Sequence, residues 1–93
     1  MEFGKYVVLS TAHVRCATAE RLTAWTRLPP ELQPVAVAPT SNGWFLPTGR
    51  RSDADRLPGE LPAILAFGLD HGCDYVLLDS DGTEVAELPV FPW

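Results

Sequence analysis

The chain has little of what usually announces a chemistry or a compartment. Its 93 residues include two cysteines, Cys16 and Cys73, too few for a disulfide framework and consistent with reduced thiols in a cytosol. No run approaches the roughly 18 apolar residues of a membrane span. The opening Met-Glu-Phe-Gly-Lys lacks a basic segment followed by a long apolar stretch, so no secretory signal is expected. There is no phosphate-cradling Gly-x-x-x-x-Gly-Lys, no Gly-x-Ser-x-Gly elbow and no EF-hand ligand spacing. Basic residues stop at Arg56. Seven bases and five acids occupy residues 1–56, and residues 57–93 hold seven acids (Glu60, Asp70, Asp74, Asp79, Asp81, Glu84, Glu87) and no base, which gives the net −5. An acidic half repels phosphate backbones, so direct nucleic-acid binding is disfavoured. It can equally be a solvated face, or be steered onto a basic protein.

What remains is an ordinary globular balance, 46% hydrophobic and 20% charged, enough for one domain over residues 1–93. Residues 5–10 (Lys-Tyr-Val-Val-Leu-Ser) are apolar on both faces, which predicts an interior strand. Thr18 can cap a helix carrying Ala19, Leu22 and Trp25 at helical spacing, ended by Pro29-Pro30. Residues 35–39 and 44–47 read as a hairpin around Asn42-Gly43, which supplies positive φ angles; Pro39 and Pro47 place it at a sheet edge. Residues 49–59, with Arg50, Arg51, Asp53, Asp55 and Arg56, read as an exposed loop. Leu61, Ile64, Leu65 and Gly68 fall on one face of a second helix, stopped at Gly72 with His71 at its negative end. Residues 73–79 form a buried strand, Ser80-Asp81-Gly82 a turn, and residues 83–88 a returning strand. The order β-α-β-β-α-β-β predicts an α+β domain with two helices on one face of a mostly antiparallel sheet: a ferredoxin-like core plus an extra C-terminal strand.

Each cluster able to carry chemistry has a structural rival. His13-x-x-Cys16 and His71-x-Cys73 supply four ligands of zinc type. In the expected sheet the first and fourth strands are antiparallel neighbours, so the two pairs can meet. A buried cysteine and a helix stop explain the same residues. Ser10 or Thr11, His13, and Asp74 or Asp79 have the residue types of a hydrolytic relay, but Ser and Thr after a strand more often bond local backbone. Among the aromatics, Trp44 and Phe45 are adjacent on a strand and so point to opposite faces; one of them can anchor a protein partner.

Leu-Ser-Thr-Ala-His-Val at positions 9–14, Leu-Pro-Gly-Glu-Leu-Pro-Ala-Ile-Leu at 57–65 and Gly-Cys-Asp-Tyr-Val-Leu-Leu-Asp-Ser-Asp-Gly at 72–82 carry a resemblance. The chain resembles a small uncharacterised domain family of bacterial plasmids and phages, found beside antirestriction and anti-CRISPR genes. The resemblance implies an anti-defence role in the cytoplasm of a bacterial host and transfers no catalytic residue. The reading that follows is a non-enzymatic, cofactor-free, protein-binding inhibitor. Its expected partner is a basic nucleic-acid-handling protein, such as a CRISPR effector or restriction enzyme, met through Asp74, Asp79, Asp81, Glu84, Glu87 and Trp44. The alternatives are a small metal-binding or hydrolytic protein centred on His13 and His71, and a regulatory homodimer.

Overall fold

The computed structural model describes residues 1–49 and 54–92. Its elements are β1 (Tyr6–Ser10), α1 (Cys16–Thr26), β2 (Ala38–Thr40), β3 (Gly43–Pro47), α2 (Leu61–Asp70) and β4 (Tyr75–Asp79), with 3-10 turns at Thr11–His13 and Pro30–Leu32. The expected α+β class is observed: two helices and a four-stranded sheet among the described residues.

The helices follow their sequence patterns. Ala19 and Leu22 of α1 are buried, and Trp25 packs against the core. The helix begins earlier than expected, at Cys16 with Arg15 and not Thr18 as its N-cap, and Arg15 brings no side-chain cap of its own. Instead the Glu60 carboxylate accepts the Arg15 N–H at 2.8 Å, placing a negative charge at the positive end of α1. In α2, Leu61, Ile64, Leu65 and Gly68 are all buried, as their spacing predicts. Its end is a Schellman motif: Gly72 has φ 72°, its N–H reaches Leu69 O at 2.9 Å, and the Cys73 N–H reaches Gly68 O at 2.9 Å. His71 Nδ1 lies 2.9 Å from Phe67 O, a carbonyl that also accepts the His71 N–H at 3.2 Å.

The sheet differs from expectation in three ways. Its order is β1-β4-β3-β2, and β1 runs parallel to β4, from Tyr6↔Tyr75 to Ser10↔Asp79. The ferredoxin-like arrangement, with these strands antiparallel, is therefore not the one adopted, and β1 is an edge strand. Secondly, the extra C-terminal strand is absent among the described residues. β4 is bonded by β1 on one side and β3 on the other, so a returning strand has no edge of β4 to join. The chain turns at Ser80-Asp81-Gly82 and passes the end of β1, where Thr83 makes one parallel bridge to Leu9. Thirdly, the β2–β3 hairpin closes without positive φ at Asn42 or Gly43. Glycine is needed at 43 for another reason: a Cβ there would collide with the Leu78 carbonyl oxygen.

One core joins the layers, with Leu9, Leu22, Leu46, Leu61, Ile64 and Leu78 among its fully buried side chains. The segment expected as an exposed loop contributes to it: Ala54 and Leu57 are buried, while Asp55 and Arg56 are exposed. Arg50, Arg51 and Asp53 lie outside the described residues. No helix among the described residues is long and apolar enough to cross a membrane.

Candidate functional site

Strand alternation gives the sheet two unlike faces. Leu9, Leu46, Val76 and Leu78 point to the helices and are 0% exposed. Val7 and Trp44 pack beside them. The intervening residues, Tyr6, Val8, Phe45, Tyr75 and Leu77, share the opposite face. There Tyr6 is 57%, Val8 38% and Tyr75 37% exposed, and Phe45 and Leu77 are half-buried. Three rings form a row: Phe45 stacks on Tyr75 at 5.0 Å and 22°, and meets Tyr6 edge-on at 6.0 Å and 67°. Cross-strand register produces the row, because Phe45 and Val8 both oppose Leu77, while Tyr6 and Pro47 both oppose Tyr75.

Of the proposed contact residues, Trp44 therefore belongs to the covered side, and its neighbour Phe45 holds the open position. The sequence signal for this face was present: Tyr6, Val8, Tyr75, Leu77 and Phe45 are alternate apolar positions facing away from the core. The acids do not form one patch. Asp74 precedes β4, and its Oδ2 accepts the Lys5 N–H at 2.9 Å. Asp79 ends β4 and its Oδ1 accepts the Asp81 N–H at 2.7 Å. Five steps of about 3.3 Å separate Asp74 from Asp79, so these acids bracket the open face from both ends. Glu84 and Glu87 are exposed on the segment beyond the turn.

That segment explains the polar residues at the end of β1. Ser10 Oγ accepts the Ala12 N–H at 3.0 Å and caps the 3-10 turn. The turn delivers His13 to a site where it is 1% exposed. His13 Nε2 accepts the Val85 N–H at 3.0 Å, and Nδ1 lies 2.8 Å from Pro89 O. Together these bonds assign a neutral ring with its proton on Nδ1. The Ser10 N–H donates to Thr83 O at 3.0 Å and the Phe91 N–H to Ala12 O at 2.8 Å, while Leu88 is buried in the core. The Phe91 ring sits under the Arg15 guanidinium, 4.7 Å away. Residues 83–91 are thus a strap clasped by His13. Trp93 lies outside the described residues.

Ser10, His13, Asp74 and Asp79 are each engaged with backbone, and no side-chain bond among the described residues links them into a relay. The two histidine–cysteine pairs do not meet either. Because β1 and β4 are parallel, His13 and Cys16 follow one end of the sheet, whereas His71 and Cys73 precede the other. The convergence expected from antiparallel strands is corrected by that single fact. Among the described residues, no three His, Cys, Asp or Glu side chains are grouped to hold a metal ion. A cleft of about 360 Å³ lies beside the clasp, lined by Arg15, Glu60, Ile64, Leu88 and Phe91; Arg15 and Glu60 face one another there at 3.8 Å.

The profile of a family described as "Family of unknown function (DUF5983) C-terminal domain" matches residues 6–93. The chain belongs to that family. No curated protein and no solved structure matches it. The match begins at the first residue of β1, so the open face and the strap both lie within the matched region of this chain.

Proposed function

We propose that this DUF5983 domain is a non-enzymatic protein-binding module that docks a partner on the open face of its sheet. The observation that carries the reading is the row of Tyr6, Phe45 and Tyr75 on an uncovered face. Aromatic residues anchor protein interfaces because they bury large area with few rotatable bonds. The acids at both ends select the occupant: a protein surface with an apolar centre and basic margins. Stacking of nucleic-acid bases on the same rings fits less well, since the four strands carry no Lys or Arg to accompany the phosphates.

The narrower form of the proposal is an anti-defence inhibitor of a plasmid or phage, acting in the bacterial cytoplasm on a CRISPR effector or restriction enzyme. It is supported by the family resemblance and by the acidic balance of residues 57–93. Occlusion of a basic groove is then steric and electrostatic, and needs no reaction centre. The test is binding of purified CRISPR effectors and restriction endonucleases to the immobilised chain at low and high salt. The expected complex weakens as salt screens the acidic margins, and Phe45→Ser weakens it about tenfold or more, as loss of an interface anchor does. Binding to none of these proteins would sink the narrower form. A complex indifferent to Phe45→Ser would sink the docking face.

A further inference from the structure

The two edges of the sheet are not alike. At one edge β2 is three residues long with Pro39 in its middle, so it is short and lacks a central donor, both common ways of blunting an edge. At the other edge β1 reads Tyr-Val-Val-Leu-Ser without proline or charge. The Lys5 carbonyl takes the N–H groups of Asp74 and Tyr75, so the odd residues of β1 bond to β4. The even residues face away from it: the Ser10 N–H, pointing outward, is taken by Thr83 O. Among the described residues, the strap bridges β1 at Leu9 and Ser10. Upstream, the backbone of Tyr6 and the N–H of Val8 point outward along the same edge, and the side chains of both lie on the open face.

We propose that this free stretch of β1 receives an extended strand of the protein partner, extending the sheet by β-augmentation. The inference rests on the docking reading above and names the partner's chemistry more closely. The exposed charge at both ends of the slot is net acidic: Glu2 and Asp74 outnumber Lys5 before Tyr6, and Glu84 stands after Thr83. The strand it fits carries basic residues at its two ends and alternating apolar residues between, which join Tyr6 and Val8 on the open face. A second copy of this chain is the poorer occupant. Antiparallel pairing of two β1 strands would set Glu84 of each copy against two acids, Glu2 and Asp74, and one base, Lys5, of the other, and a net like charge across strands is destabilising.

The test uses the full chain labelled with ¹⁵N and the synthetic peptide acetyl-Lys-Val-Thr-Val-Thr-Val-Lys-amide, read by amide hydrogen exchange. Exchange at Tyr6 and Val8 is expected to slow about tenfold or more with peptide, and not with peptides that carry Glu at both ends or N-methyl groups at alternate residues. Val8→Pro, which removes only an outward N–H, is expected to abolish the effect and to leave the resonances of Leu46 and Leu78 in place. If that variant does not fold, the N-methylated peptide makes the same distinction on the native chain. The proposal is overturned if millimolar peptide leaves both amides exchanging freely. Protection that appears without peptide and grows with protein concentration overturns it in favour of a second copy. If peptide shifts the Phe45 and Tyr75 rings without slowing Tyr6 and Val8, the edge proposal falls and the docking face stands.

Discussion

The two faces of the sheet are built from the same strands and equally apolar alternation, yet they answer to different demands. The covered face uses branched aliphatic chains, Leu9, Leu46, Val76 and Leu78, whose fully buried surfaces interdigitate with both helices. The open face uses Tyr6, Phe45 and Tyr75, with Val8 and Leu77 between the rings. Tyrosine presents an apolar body and a hydroxyl that keeps its bonds to water, so it suits a surface that is wet until a partner arrives. A face designed only to be soluble would place charge at these positions. Two-sided apolarity in β1 and β4 thus reports one dry face and one accessible face, and the docking proposal rests on the second.

The sharpest way to break this comparison lies in adjacent residues of β4. Leu78→Ala opens a cavity against the helices and is expected to destabilise the fold by about 2–5 kcal/mol. Leu77→Ala removes the same atoms from the half-buried open face and is expected to cost about 1 kcal/mol, near half of a full burial. Urea unfolding of both variants measures the difference. Equal losses would mean that the open face is packed in solution.

The clasp gives the next effect in size. His13→Ala removes two of the bonds that hold the strap, those made by the acceptor of the Val85 N–H and the donor to Pro89 O. A loss of about 1–3 kcal/mol is expected, because the freed groups can partly recover bonds to water once the strap lifts. Hydrogen exchange locates the damage. Val85 and Phe91 amides should exchange much faster, whereas Val76 and Leu78 stay protected. Unchanged exchange at Val85 would show that the strap holds without its histidine.

Much of this fold was legible in residue spacing. Leu61, Ile64, Leu65 and Gly68 named the buried face of α2, and His71-Gly72 named its end, because both signals are local. Partner choice between strands is not local. Residues 83–88 have the alternation of a strand, but β4 has both edges occupied, a fact set by how β1 arrives. Parallel pairing of β1 with β4 likewise decided the fate of His13, Cys16, His71 and Cys73, which no spacing rule could. In the stretch Ser-Thr-Ala-His, the local bond of Ser10 to the Ala12 N–H is of the kind its position suggests, but His13 had no visible reason in sequence, since its partners Val85 and Pro89 lie more than seventy residues away. Phe45 was half legible: adjacency to Trp44 required opposite faces, but which face is covered depends on where the helices pack.

The smallest stability effects belong to the rings themselves, and there the comparison can be sharpened most cleanly. Phe45→Ser breaks both ring contacts and is expected to cost about 1–2 kcal/mol, from lost pairing and partial burial. Tyr6→Ser removes a ring already 57% exposed and should change stability by no more than about 0.5 kcal/mol, as surface substitutions usually do. Both variants should nevertheless lower the fluorescence of an apolar dye such as ANS added to the native chain, because both remove area from the same accessible patch. Leu78→Ala, measured below its unfolding midpoint, should leave that patch and its dye signal intact. Stability and dye binding therefore part in opposite directions on the two faces. If instead the dye signal tracked stability across all three variants, it would be reporting loosened native packing, and the open face would lose its claim to be a preformed contact surface.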